Sequence, residues 1–320
     1  MKILLDELIG KRAQNFFDIY DLENIVSGSE KKWVLGNKQP RICRYCKKGK
    51  PEVKFKKDAH IISEFMGNEK LLSYFECDTC NDLFSKYENS FANFLGATRT
   101  ISQIKGKSGV PKFKDPKTGF KIELGDKTLQ IGMLENSKEV TIEEDIKKLT
   151  IKTKRLPYIP IQIPKILVKM GLALVKEESM SDFEFTRNFV ISDKHDSSFL
   201  NNALLIVLGY FIPGPPVYRK PFLHLYTKKD EKRNAEVPQK QIVLFYANYI
   251  LQMILPFNEN DKNLQGKQIN LPIYPLLLDA SYFVKYGNYQ QLNLNFTSSD
   301  RVSDQDHIIN FSFEDMKREI

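Results

Sequence analysis

The sequence predicts an α+β fold in two parts: a small cysteine-stapled ββα unit near the N-terminus, then a strand-rich α+β domain. Three observations predict it. All four cysteines of the 320-residue chain fall in two C-x2-C pairs, Cys43/Cys46 and Cys77/Cys80. Between the pairs runs the alternating stretch Val53 to Ile62, and after the second pair apolar residues recur at spacings of three and four. Beyond the Gly/Lys/Pro-rich stretch Lys105 to Pro111, strand-type patterns dominate.

Taken in order, residues 1–30 hold an amphipathic helix through Phe16, Phe17, Ile19 and Tyr20, expected to pack on the unit that follows. The paired cysteines come next. In a reducing compartment, two C-x2-C turns favour a metal over disulfides, and four thiolates complete the tetrahedron of a structural Zn²⁺ with no open position. In the alternating stretch, residues two apart share a face, so Asp58 and His60 point one way and Ile62 continues that row inward. The helix opening at Asn81 places Leu83, Phe84, Tyr87, Phe91, Phe94 and Leu95 on its apolar stripe and aligns Asn81, Ser85 and Glu88 on another face. The linker sets the expected division at 1–105 and 106–320.

In the second part, Phe120 to Leu124 and Thr128 to Met133 flank Gly125-Asp126 as a hairpin. Leu149 to Thr153 alternates as a strand, and Pro164 to Lys176 reads as a helix opened by its proline. Ser181-x-x-Glu184 has the spacing of a capping box. Strand-like runs follow at Leu204 to Ile212, Phe222 to Tyr226, Gln241 to Ala247 and Leu292 to Phe296.

Net charge is +8, and its distribution matters more than the sum. Lys31 to Lys57 carries eleven Lys/Arg against one acid, Glu52, a patch suited to a polyanion through phosphate contact and counterion release. Arg44, Lys56 and Lys57 within it are candidate phosphate contacts, and Arg99, in Gly96 to Thr100, is a further one. No stretch approaches the roughly 18–20 apolar residues of a membrane span. The N-terminal residues lack the apolar core of a signal peptide, so a cytoplasmic protein without membrane attachment is expected.

These pieces together resemble the HNH endonuclease family, in its subgroup with zinc knuckles on both sides of the hairpin. The residues that carry the resemblance are Cys43-x-x-Cys46, then Ala59-His60-Ile61-Ile62-Ser63, then Cys77-x-x-Cys80-Asn81. It covers about residues 41–95. It implies a ββα-metal fold that hydrolyses phosphodiester bonds in DNA, with His60 as general base and Asn81 as a ligand to a catalytic Mg²⁺ or Mn²⁺. Two positions depart from the pattern. Ala59 stands where an acidic ligand is usual, which makes Asp58 the substitute, with Glu88 as a further candidate ligand. The middle asparagine that braces the hairpin loop has no match by count, its place falling near Leu72, although Asn68 lies four residues earlier. Proteins of this build look like prokaryotic anti-phage defence nucleases whose second domain meets a protein partner or small-molecule trigger. The alternatives are a non-catalytic zinc-ribbon adaptor for nucleic acid or protein, and a nuclease subunit working with an ATPase or Argonaute-like protein.

Overall fold

The structure is a computed structural model that describes residues 14–28, 31–115, 117–126, 128–133, 138–193 and 205–312. It is an α+β protein. Residues 14–19 are helical and lead into β1 (Tyr20–Ser27), followed by β2 (Trp33–Leu35), β3 (Ala59–His60), β4 (Leu71–Ser73), α1 (Asp78–Leu95) and α2 (Thr98–Ile101). The middle of the chain forms β5 (Phe113–Lys114), β6 (Lys121–Gly125), β7 (Thr128–Gly132), β8 (Val140–Glu143), β9 (Lys148–Lys154), α3 (Gln162–Leu174) and α4 (Glu184–Ile191). The remainder gives β10 (Ile206–Phe211), β11 (Tyr218–Lys228), β12 (Lys240–Ala247), β13 (Tyr249–Ile254), α5 (Ala280–Tyr286), β14 (Gln290–Asn295) and β15 (Asp306–Ser312).

The largest sheet has the order β1-β11-β12-β13-β10-β14, with every pairing antiparallel. Its middle strand β12 is buried throughout, and it reads as a continuous apolar run because both faces are covered. Three small sheets accompany it: β2-β4-β3, β5-β6-β7 and β15-β9-β8. The β6–β7 hairpin pairs Gly125 with Thr128 across the turn, as the sequence predicts.

α3 organises the interior. Every residue from Ile163 to Leu174 is buried, including Lys165 and Lys169. A helix apolar on nearly all sides has to be enclosed, and α3 packs on both α1 and β11. One hydrophobic cluster therefore runs from Val26 through Cys43, Phe84 and Phe91 to Ile166, Leu223 and Phe296. A separate aromatic cluster joins Phe16 and Tyr20 to Tyr210, Tyr226 and Tyr274.

Three local expectations change. The N-terminal helix packs in that aromatic cluster instead of on the cysteine-bearing unit, because β1 continues it into the large sheet beside β11. Of the alternating stretch 53–62, only Ala59 and His60 form a strand. Side chains take the backbone groups that a ladder would need: Asp78 Oδ1 accepts from the Lys56 and Lys57 N–H groups, and Arg41 Nη1 donates to the Phe55 carbonyl. Ser181 does not cap α4, because it sits inside a 3₁₀ stretch, Glu177–Phe183, that leads directly into the helix. Residues 1–13, which include the leading segment read for a targeting signal, lie outside the described residues, as does the start of the predicted strand at Leu204.

Candidate functional site

The two cysteine pairs converge. The Sγ atoms of Cys43, Cys46, Cys77 and Cys80 all lie within 4.8 Å of one another, and none forms a disulfide. A tetrahedron of Zn–S bonds about 2.3 Å long has S···S edges of about 3.8 Å, and Cys46 and Cys77 stand 3.8 Å apart. The first turn is closed by the Lys47 N–H donating to the Cys43 carbonyl and the Cys43 N–H donating to Lys48. Lys47 adopts φ 61, the left-handed conformation that this tight turn requires. The second pair starts α1, with Cys77 at the N-cap position. Crowding splits the thiols. Hydrogen bonds from Cys43 and Cys80 hold the Cys77 thiol below its ordinary value, while the hydrogen bond to Cys77 pushes Cys43 up. A divalent cation is what allows all four to ionise together, so the donor set fits zinc.

β3 and β4 form the hairpin, pairing Ala59 with Ser73 and His60 with Leu72. The ten residues between them are braced by Asn68, which is fully buried. Its Nδ2 donates to the carbonyls of Ile62 (2.6 Å) and Leu71 (3.0 Å), and its Oδ1 accepts from the Leu71 N–H at 2.9 Å. Asn68, four residues before the place near Leu72 that counting gives, is the asparagine that braces this loop. A 3₁₀ turn, Glu64–Met66, closed by Gly67 at φ 89, lies within the loop.

His60 is half-buried at the end of β3. Its carbonyl accepts from Lys169 Nζ of α3. Lys169 is also ion-paired with Glu76 at 3.1 Å, outside hydrogen-bond alignment. Burial pushes the Glu76 carboxyl up to about 7 against the pull of Lys169, and Glu88 lies near enough to add to that push. Asp78, one residue past Cys77, ties the chain before the hairpin to the first turn of α1 through Lys56 and Lys57.

Asn81 is partly exposed in the first turn of α1, and Ser85 Oγ donates to its carbonyl. Asp58 is exposed, Ala59 buried and His60 half-buried, an alternation that leaves Asp58 and His60 on the more open side. Asp58 lines a cleft of about 140 Å³ rimmed by Lys32, Arg41, Lys56 and Lys57. Asp58, His60 and Glu88 do not gather into a three-ligand cluster. Among the described residues, the four cysteines are the one group of three or more His, Cys, Asp or Glu side chains that does so.

The basic candidates divide. Lys56 and Lys57 are exposed on the cleft rim, Lys57 paired with Asp82. Arg44 is a correction. Its guanidinium is buried, donating to the carbonyls of Leu172, Ala173 and Val175 and to Glu177, and it stacks 3.6 Å over the Phe75 ring. With Asn24, which donates to Leu174, it caps the C-terminal end of α3, where the partial negative charge of a helix favours a cation. Arg99 is likewise turned inward, 4.9 Å over the Phe65 ring and beside Tyr246, and burial lowers its pKa.

Sequence reasoning missed Glu76 and Lys169. Glu76 carries a signal only in hindsight, as an acid next to a metal-type cysteine; Lys169 carries one as a cation in the middle of an apolar helix. No curated protein and no solved structure matched the chain. The match that was found falls on the segment just described: residues 43–94 fit the family model of the HNH endonucleases, from the first cysteine to the last turns of α1, and the chain thus carries an HNH endonuclease-family segment in its N-terminal part.

Proposed function

We propose that the chain is a metal-dependent HNH endonuclease that hydrolyses phosphodiester bonds in DNA, with its reacting centre where β3 meets α1. The observation that carries this reading is the family match over residues 43–94 on a hairpin and helix stapled by four cysteines, with His60 on the one and Asn81 on the other. His60 takes the proton of the attacking water as its oxygen bonds to phosphorus and the leaving oxygen departs. Asp58 and Asn81 are the residues that would hold Mg²⁺ or Mn²⁺, through a carboxylate and an amide oxygen. A donor set of one carboxylate and one amide suits an ion that keeps several waters. When bound, the ion supplies charge neutralisation at the phosphate and at the leaving oxygen. Lys32, Lys56 and Lys57 line the approach with positive charge.

In this reading the protein acts in the cytoplasm as an anti-phage effector, and its C-terminal portion governs the hairpin. Contact between Lys169 of α3 and the His60 carbonyl supports such control, since any shift of α3 is felt at the strand that bears the base.

A second reading, an adaptor whose centre no longer cuts, is favoured by one observation: among the described residues, no group of three or more His, Cys, Asp or Glu side chains gathers at His60. A plasmid-nicking assay with Mg²⁺ or Mn²⁺ separates the two. The nuclease reading expects nicking by the wild type that is lost in His60→Ala with the fold intact. Equal inactivity of wild type and variant with both ions and with both single- and double-stranded DNA leaves the adaptor.

A further inference from the structure

A second cleft, of about 690 Å³, opens beside the first cysteine turn. One wall is the loop after β2, with Asn37. Another is Tyr74 and Phe75 after β4. The 3₁₀ stretch and α4 close it with Met180 and Arg187.

Arg187 is the informative residue. It is 6% exposed, its Nε has no hydrogen-bond partner, and among the described residues no carboxylate forms an ion pair with it. The acids nearby are already engaged, Glu177 with Arg44 at 2.7 Å and Glu184 with Lys47 at 3.3 Å. A guanidinium keeps its charge inside proteins, so burial without a partner is a standing cost that an incoming anion would offset. Arg44, Lys47 and the Glu177 carboxylate also line the cleft. Tyr74, Met180 and Phe75, one face of which carries the Arg44 guanidinium, add aromatic and apolar wall against which a planar body can pack. The volume lies within the range of roughly 300–1,000 Å³ typical of small-molecule sites.

We propose that this cleft binds a small phosphorylated molecule with a planar apolar body, of nucleoside monophosphate size, its phosphate held by Arg187 and its ring system against Tyr74 and Phe75. The guanidinium fork matches a phosphate in two parallel hydrogen bonds, which an ammonium cannot do. The cleft adjoins the Asp58 cleft at Tyr74, which lines both, and the proposal does not depend on the nuclease reading. Arg44, which caps α3, also lies in the wall of this cleft, so an occupant would sit beside the residue that anchors that helix.

The test is isothermal titration of the full chain with AMP, GMP, CMP and UMP, and with inorganic phosphate as the minimal probe. The expected result is one site per chain that takes at least one of the nucleotides more tightly than phosphate alone. Arg187→Gln weakens that binding by at least about tenfold, and Arg187→Lys recovers only part of it. Asn37→Trp, at an exposed wall position, blocks the cleft sterically and serves where Arg187→Gln fails to fold. Wild type that takes up none of the nucleotides at millimolar concentration overturns the proposal. So does binding that both Arg187→Gln and Asn37→Trp leave unchanged, or a 5′-phosphorylated oligonucleotide that outcompetes every mononucleotide, which would make a nucleic-acid end the occupant.

Discussion

Lys169 Nζ lies 3.1 Å from Glu76 Oε2, with both side chains at 2% exposure or less, and the same ammonium donates to the carbonyl of His60. One buried cation thus joins α3, the residue before Cys77 and the strand carrying the proposed base. Removing one partner of such a pair typically costs about 3–5 kcal/mol, because the other charge is left stranded. Lys169→Met is expected to lose stability on that scale in urea denaturation, and to lose more at pH 8 than at pH 6, since Glu76 takes up a proton near pH 7. Adding Glu76→Gln to Lys169→Met is expected to restore most of the loss. A double variant no more stable than the single one would refute this account.

The cysteine cluster and the hairpin histidine are expected to separate by phenotype. Elemental analysis of the purified chain should give one zinc per molecule. Cys77→Ser should lose the metal and unfold the segment around the hairpin, seen as a lost or broadened melting transition. His60→Ala should keep both metal and melting temperature. The reverse pattern would reassign the roles of the two sites.

Asn68 offers a local test of the loop. Asn68→Ala leaves the Leu71 N–H and the Ile62 and Leu71 carbonyls without this partner inside the protein. The expected cost is about 1–3 kcal/mol, with faster hydrogen exchange at the Leu71 amide. Exchange at Leu71 equal to wild type would show that the loop is held by other contacts.

The charges near the hairpin should not act alike. Lys32→Ala with Lys56→Ala is expected to weaken DNA binding and to flatten its dependence on salt by about two phosphate contacts, leaving the melting temperature nearly unchanged. Arg44→Ala is expected to do the opposite, costing stability through the exposed end of α3 while the salt slope stays as in wild type. Filter binding across a salt series and thermal melts read the two effects separately.

His307 supplies a pH test. It lies on β15, 7% exposed, against Gly96 at the end of α1, and burial holds its pKa down at about 3. The unfolded chain takes up this proton near pH 6.5 while the folded chain does not. The contribution is therefore fully present above pH 6.5 and is lost as pH falls toward 3, at up to about 1.4 kcal/mol per pH unit. A His307→Asn variant should show a shallower loss of stability across that window. Parallel wild-type and variant curves would contradict it.

The metal cluster was legible because C-x2-C spacing encodes its own geometry, and the helix α1 because its apolar stripe is long and regular. The hairpin was legible in position but not in extent. Alternation at Val53 and Phe55 matches a strand, yet Asp78 and Arg41 claim the backbone groups there, and that competition is set by residues elsewhere in the chain. Asn68 was out of place by count because its bracing role comes from hydrogen bonds across the loop, to Ile62 and Leu71, which spacing from Cys77 does not encode. Arg44 reads as a surface cation in a basic run. Only the arrival of α3, some 130 residues later, turns it into a cap. Lys169 and Glu76 were invisible as a pair for the same reason.

The pairing of β1 with β11 has a bearing on how the molecule can be taken apart. The described chain enters the large sheet at β1, leaves for the cysteine cluster and hairpin, and returns to the sheet at β10 and β11. The HNH segment is thus an excursion bracketed by strands of one sheet. Cutting at the glycine-rich stretch near residue 106 would carry β1 away with the nuclease fragment and strip the eleven-residue β11 of its edge partner. The two halves of such a cut would be prone to aggregate, each displaying an unpaired strand. Internal excision that keeps residues 14–28 joined to the body would leave β1 in the sheet but uncover α3, which packs on α1 and is capped by Arg44, so neither division leaves a closed core.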